Sequence, residues 1–287
     1  MKKIALLFVL VGFGLFVSSC SGFLENNIEA TNKRDAQAIS DYIKQKNLQM
    51  LNTATGVWYS VNKPTLGRNA QVGDEVTFHY FLYLLDGTRI DSTSRLKNEP
   101  AKITLGAANV IAGFLEAMSI LKEGERGTFL IPSQLGFGSQ ASVTVPANSV
   151  LKLDLELVKL RSEDQIIDDY VAAAKLPLTE KTSTGLRFLR TLEAPTGTQL
   201  KVGLSTVVKY TGYLASTGKQ FDSGQLTVGL GDGAVVKGFE EGLLKMRVGE
   251  KAVLVFPSTL GYGVNGSNTT IPPYAPLIFN VEIVSAK

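Results

Sequence analysis

A chain of 287 residues with one histidine and one cysteine carries little of the usual catalytic apparatus. An internal disulfide is excluded, and a Cys-His nucleophilic pair or a Cys/His metal cluster is nearly so. Three segments of the C-terminal half contain residue types that do chemistry elsewhere. GLGDGAVVKG at 229–238 runs glycine-rich into a helical pattern, but it lacks the G-x-x-x-x-G-K-[ST] spacing that cradles a phosphate. Asp222 precedes Ser-Gly, an ordinary setting for an Asx-turn. Tyr262 sits between two glycines, an ordinary setting for a turn aromatic. Asp91 and Asp222 fall in different halves, so they form no acid/base pair. Such a chain suits chemistry that requires neither a nucleophile nor proton transfer, with aromatic faces, hydroxyls and backbone amides as its tools.

The elements that would hold those groups come twice. TIPPYAPLIFNVEIV at 270–284 opens on Pro272 and Pro273, which stop any helix there. Leu277, Phe279, Val281 and Ile283 then share one face of a closing strand. TVPANSVLKLDLELVKL at 144–160 is a weaker copy, so the chain is duplicated. In the second copy, strands are expected at 184–191, 205–215 and 251–257, with a turn and short edge at 216–224. A helix over 235–246 places Val235 or Val236, Phe239, Leu243 and Met246 on one face. The first copy repeats this with strands at 55–61, 75–85 and 127–132 and a helix at 110–121. The expected fold is α+β: two domains, each a curved antiparallel sheet wrapped on one short helix.

Helical spacing also precedes each domain. Ala36, Ile39, Tyr42 and Ile43 recur from Asp35 onward, and SEDQIIDDYVAAAKLPLTEK begins at Ser162, a good cap, and is ended by Pro177. Asp41-Tyr42-Ile43 and Asp169-Tyr170-Val171 match at a constant offset. The repeated unit is therefore a helix followed by a domain, with the helix a spacer or a packing element. The expected organisation is a leader at 1–19, a tether and helix at 20–48, a first domain at 49–161, a helical linker at 162–182 and a second domain at 183–287.

The formal charge of +3 falls to +1 without the leader, which removes Lys2 and Lys3 and no acid. That is no footprint for nucleic acid. Lys2 and Lys3 form a basic n-region, and Ile4 to Val17 an apolar h-region too short for a comfortable membrane span. Val17-Ser18-Ser19-Cys20 follows and resembles the lipobox of bacterial lipoproteins, in which the cysteine becomes an acylated N-terminus. Several acyl chains at ~0.8 kcal/mol per buried CH₂ give stable anchoring. The resemblance implies a chain held on a bilayer through Cys20 on the extracytoplasmic side of a bacterial membrane. An outer membrane, periplasmic side or cell surface, is favoured; ATP and NAD cofactors are scarce there.

With the pieces in order, the second domain resembles the FKBP-type peptidyl-prolyl cis-trans isomerases. The matching strings are VVKYTGYL at 207–214, GKQFDSG at 218–224, VVKGFEEGLLKMRVGEK at 235–251, GYG at 261–263 and IPPYAPLIFNVEI at 271–283. The resemblance implies a pocket between the helix and the concave sheet face. Its positions are Tyr210, Phe221, Asp222, Val235, Val236, Phe239, Tyr262, Ile271 and Phe279. Phe239 stands where the family usually has tryptophan, and the loop after Asp222 is short, with Leu226 in partial replacement of an aromatic. The first domain matches at Tyr80, Asp91, Val110, Ile111, Phe114 and Val145. It departs at Ile90 and Leu153, where Phe is usual, and at Phe137, which lacks the hydroxyl of the usual Tyr. Weak activity or none is expected there. His79, which aligns with Lys209, is expected to be solvated, and Trp58 to be a packing residue.

The resemblance implies an isomerase of proline-containing unfolded chains, with no cofactor and no metal. Tyr210, Asp222 and Tyr262 are its candidate catalytic groups; the remaining pocket residues bind substrate. Two other readings keep the same grooves: a non-enzymatic chaperone or interaction module, and a surface scaffold serving motility or envelope assembly.

Overall fold

The structure, a computed structural model, describes residues 17–287 except Leu176 and Thr269. Most of the expected leader, residues 1–16 of 1–19, lies outside the described residues. Among the described residues no helix is long and apolar enough to cross a membrane.

Two antiparallel sheets form, one from each half. The first contains β1 (Leu51–Asn52), β2 (Trp58–Lys63), β3 (Glu75–Leu84), β4 (Arg89–Ser92), β5 (Ala101–Thr104), β6 (Arg126–Ile131) and β7 (Leu151–Arg161). Its order is β1-β2-β6-β7-β3-β4, with β5 also paired to β3. The second contains β8 (Glu180–Lys181), β9 (Arg187–Leu192), β10 (Ser205–Leu214), β11 (Gln220–Gly229), β12 (Lys251–Phe256) and β13 (Leu277–Ala286). Its order is β11-β10-β13-β12-β9-β8, so the closing strand is central, between β10 and β12. Leu277, Phe279, Val281 and Ile283 are all buried, as their alternation requires.

The edge after residue 216 is not short: β11 is a ten-residue strand along β10. In the first half the same edge is split into β4 and β5, because residues 93–100 are inserted between them.

One helix crosses the inner face of each sheet, α2 (Ala112–Ile120) in the first and α4 (Lys237–Leu243) in the second. α4 is shorter than its apolar periodicity suggests, starting after Val236, yet Phe239, Leu243 and Met246 are buried as that periodicity requires. Each such burial contributes about 1.5–3 kcal/mol. The helix lies hard against the sheet because its inner face carries Gly238 and Gly242. A Cβ on Gly238 would fall 2.4 Å from the Phe256 ring, and one on Gly242 2.4 Å from Leu254.

The opposite face of each sheet takes the helix that precedes the domain. α3 (Glu163–Ala174) is closed at its start by a capping box, Ser162 with Gln165. It buries Ile167 against Leu189, Val253, Val255 and Ile278, with Tyr170 and Val171 alongside. Arg187 on β9 is wholly buried beneath it and donates to Asp164 at 2.8 Å and to Asp168 at 2.6 Å. α1 (Val17–Lys46) does the same for the first sheet, burying Ile39 against Leu130 and Val150, with Trp58 packed beside them. It is longer than the periodicity from Asp35 indicates. The polar residues before Asp35 include good helix formers and no proline, so nothing stops the helix earlier. Arg187 and Trp58 occupy matching strand positions, so one helix is seated by ion pairs and the other by an indole.

Candidate active site

The inner face of the second sheet, α4 and the loops at one end enclose a cleft of about 390 Å³. It is lined by Tyr210, Phe221, Asp222, Leu226, Val235, Val236, Phe239, Tyr262 and Phe279, together with Gly233 and Ala234. Eight of the nine positions drawn from the sequence therefore meet; the ninth, Ile271, is buried in the adjoining core.

The walls are aromatic and mutually braced. Phe279 on β13 meets Phe239 of α4 edge-on at 5.0 Å between ring centres, and Phe221 of β11 edge-on at 5.5 Å. It stacks on Phe256 at 5.8 Å, and Tyr210 closes the set, edge-on with Phe239 at 6.0 Å between ring centres. Such pairs add about 0.5–1.5 kcal/mol beyond their buried area and hold each ring in place.

The polar groups stand at the rim. The Tyr210 hydroxyl donates to Asp222 Oδ2 at 2.7 Å, and Asp222 Oδ1 accepts from the Ser223 N–H at 2.8 Å. That acceptor, followed by burial, pushes the Tyr210 phenol up to about 12. Asp222 is thus an acceptor that orients Tyr210, and its second oxygen is held by the N–H of the adjacent Ser223 rather than by an Asx-turn. Tyr262 is 38% exposed and overhangs the cleft. Val236 caps α4 in an extended conformation, and among the described residues its N–H meets no acceptor.

The sequence reading missed Gly212. It lies opposite Phe279 on β13 and Asp222 on β11. A Cβ there would fall 2.6 Å from Phe221 and 3.0 Å from Phe279, so its bare backbone is what lets both rings fold over the strand. The signal was available by comparing the two copies, since Leu82 occupies the matching register, opposite Leu153 and Asp91.

That leucine explains much of the first domain. Tyr80 and Asp91 keep their bond, at 2.5 Å, and burial followed by that bond pushes the Tyr80 phenol up to about 12. Phe114 meets Tyr80 edge-on at 5.3 Å, and Phe78 packs on both. Leu82, Leu153 and Val145 are buried, Val110, Ile111 and Ile90 are half-buried, and Phe137 is exposed at the rim as Tyr262 is. Branched aliphatic side chains thus fill the volume that two phenylalanines border in the second domain. His79 is a correction: it is buried, with Nδ1 2.9 Å from the Thr93 hydroxyl, because the inserted segment after β4 covers it.

No group of three or more His, Cys, Asp or Glu side chains placed to hold a metal occurs among the described residues. A second depression of about 390 Å³ lies on the outer sheet face among Thr191, Lys209, Lys251 and Glu282. It is more open than the cleft and shares only Tyr210 with it.

An aromatic cleft between one helix and a six-stranded antiparallel sheet, repeated in altered form, defines a protein with two FKBP-like domains. The description "FKBP-type peptidyl-prolyl cis-trans isomerase" matches residues 67–158 and 197–284, and the chain belongs to that family. It is 31% identical over 220 residues to the peptidyl-prolyl cis-trans isomerase FKBP9 of Rattus norvegicus, covering 76% of this chain and 36% of that protein. The human protein FKBP10 is 30% identical over 223 residues, with 76% and 35% covered. The FK506-binding protein of Neisseria meningitidis serogroup C is 40% identical over 105 residues, covering 35% of this chain and 95% of that protein. The chain therefore spans about a third of the length of the first two relatives and contains roughly the whole of the third. The crystal structure of the three FKBP domains of wheat FKBP73 aligns over 84% of this chain and 99% of its own, at 24% identity and a TM-score of 0.42.

Proposed function

We propose that the second domain, 183–287, catalyses cis-trans isomerisation of X-Pro bonds in unfolded or partly folded polypeptides. The observation that carries this is the braced cleft of Tyr210, Phe221, Phe239 and Phe279, with Asp222, Tyr262 and the Val236 N–H at its rim. Amide resonance sets a barrier of ~18–20 kcal/mol, and uncatalysed rotation takes tens to hundreds of seconds. Twisting the bond removes conjugation and with it charge separation, so the twisted amide is less polar than the planar one. A water-poor aromatic cleft favours it relative to bulk water. The prolyl ring sits among the phenylalanines. The Val236 N–H holds a substrate carbonyl, as helix-start amides hold anions and dipoles. The Tyr262 hydroxyl holds a second carbonyl. Asp222 fixes Tyr210 and takes no proton. A hundredfold to millionfold acceleration asks for ~3–8 kcal/mol of differential binding. No cofactor enters.

The first domain, 49–161, is a degenerate module that binds apolar segments of the same chains with little or no catalysis. Leu82, Leu153 and Ile90 reduce the space for a prolyl ring, and Phe137 offers no hydroxyl. Anchoring through acylated Cys20 places both domains outside the cytoplasmic membrane, with the segment up to residue 48 as tether and 162–182 joining the domains.

The test uses the chain from residue 20 on a chromogenic proline peptide. Asp222→Val and Tyr262→Phe are expected to lose most of the acceleration, and Asp91→Val little. If the chain accelerates nothing while still suppressing aggregation of an unfolded client, the same grooves serve a chaperone.

A further inference from the structure

We propose that Glu163, the first helical residue of α3, is a positioning residue for Tyr262, so that the working unit of the second domain starts at Ser162 and not at its first strand. The inference rests on the isomerase reading above. The Glu163 carboxylate accepts from the Ser258 backbone N–H at 2.6 Å and from the Ser258 hydroxyl at 2.7 Å. Ser258 is itself buried. It opens the tight turn Ser258–Leu260, closed by the Leu260 N–H to Pro257 O at 3.0 Å and the Gly261 N–H to Ser258 O at 2.8 Å. Tyr262 is the next residue. The path from carboxylate to phenol is thus one rigid turn.

Three features set this contact apart from ordinary helix capping. α3 already has its capping box, so Glu163 is not needed to satisfy its first amides. Glu163 is partly desolvated, which pushes its carboxyl above the usual range against the opposing pull of the Ser258 bonds. The burial of that carboxylate is a cost, which its two bonds to Ser258 offset. The base is also fixed, because Asp164 and Asp168 of the same helix are bound to buried Arg187.

The first half carries the looser version. Asp35 matches Glu163 in the repeat and accepts from the Ser133 N–H at 2.8 Å. The Ser133 hydroxyl has no partner among the described residues. The turn that follows leads to Phe137, which has no hydroxyl to aim. The two-point grip occurs in the half whose loop ends in a tyrosine.

The experiment is a double-mutant cycle in the full chain from residue 20. The quantity followed is kcat/KM on a proline peptide, with urea midpoints as a control for folding. Glu163→Ala is expected to lower kcat/KM roughly tenfold, since a misplacement of about 1 Å can cost up to a hundredfold. In a Tyr262→Phe background the same change is expected to cost less than about twofold, because the aimed hydroxyl is gone. Glu163→Asp, the residue the first half uses, is expected to recover at least half of the loss while keeping the fold. An equal loss in both backgrounds, or no recovery with aspartate, overturns the role of Glu163 and leaves the isomerase reading standing. A wild-type chain with no acceleration overturns the isomerase reading itself, and Glu163 with it.

Discussion

Adding one methyl group at Gly212 tests whether the cleft works through its walls. The Cβ of Gly212→Ala would lie 2.6 Å and 2.7 Å from two carbons of Phe221 and 3.0 Å from Phe279. Ordinary carbon contacts are about 3.5–4.0 Å, so a ring must retreat by nearly 1 Å. Phe279 has nowhere to go: it stacks on Phe256 and meets Phe239 edge-on at 5.0 Å. Phe221 is half-buried on the edge strand β11 and gives way. Overpacking costs about 1–3 kcal/mol. Replacing glycine by alanine in a strand returns about 0.5–1 kcal/mol. The net change in stability is therefore about 0–2.5 kcal/mol, a modest shift in urea midpoint. The wall of the prolyl site, however, has moved by a distance that can cost a hundredfold in rate. We expect kcat/KM on a proline peptide to fall by about ten- to a hundredfold. A folded Gly212→Ala chain with wild-type kcat/KM would show that Phe221 and Phe279 do not shape the reacting site, and the reasoning from the cleft would fail.

Three further outcomes follow from individual groups. The Tyr210 phenol is held up to about 12, mainly by its bond to Asp222, so Asp222→Val is expected to bring it down toward the ordinary value near 10 while Tyr80 stays high. Because the folded value lies above the unfolded one, this bond's contribution to stability is complete below about pH 10 and is lost as pH rises through about 12; ring-carbon NMR shifts of the tyrosines report it. Arg187 is wholly buried while Asp164 and Asp168 remain more than half exposed, so the two sides of this contact are unequal. Asp164→Ala with Asp168→Ala strands the guanidinium and is expected to cost about 3 kcal/mol or more, whereas Arg187→Met leaves two solvated acids and costs less than about 1 kcal/mol by urea unfolding. In the first domain, Leu82→Ala is expected to cost about 2–5 kcal/mol of that domain's stability without lowering the chain's isomerase rate, because Leu82 is core packing there.

Where one face of an element is buried, its sequence spoke clearly. The alternation from Leu277 to Ile283 placed β13, and Phe239, Leu243 and Met246 gave the inner face of α4. Ser162 was legible as a cap because its side chain acts within its own turn. Features decided by distant partners were not legible. β8 is two residues long and exists only by pairing with β9. β11 continues past its short apolar signal because β10 offers it a full ladder. His79 reads as a solvent-facing position on β3, yet the insertion after β4 contributes Thr93 and covers it. Gly212 has no side chain to announce a role, and Glu163 looks like any acid at a helix start until Ser258 is brought to it.

The central claim is that the second cleft turns the X-Pro bond and the first does not. Exchange NMR of a short Ala-Pro peptide measures it directly, with the chain from residue 20 carrying either Asp222→Val and Tyr262→Phe together or Asp91→Val alone. We expect cis-trans exchange cross-peaks with the wild type and with Asp91→Val, and their loss with the double variant. Exchange that survives the double variant, or that disappears with Asp91→Val, would contradict the account.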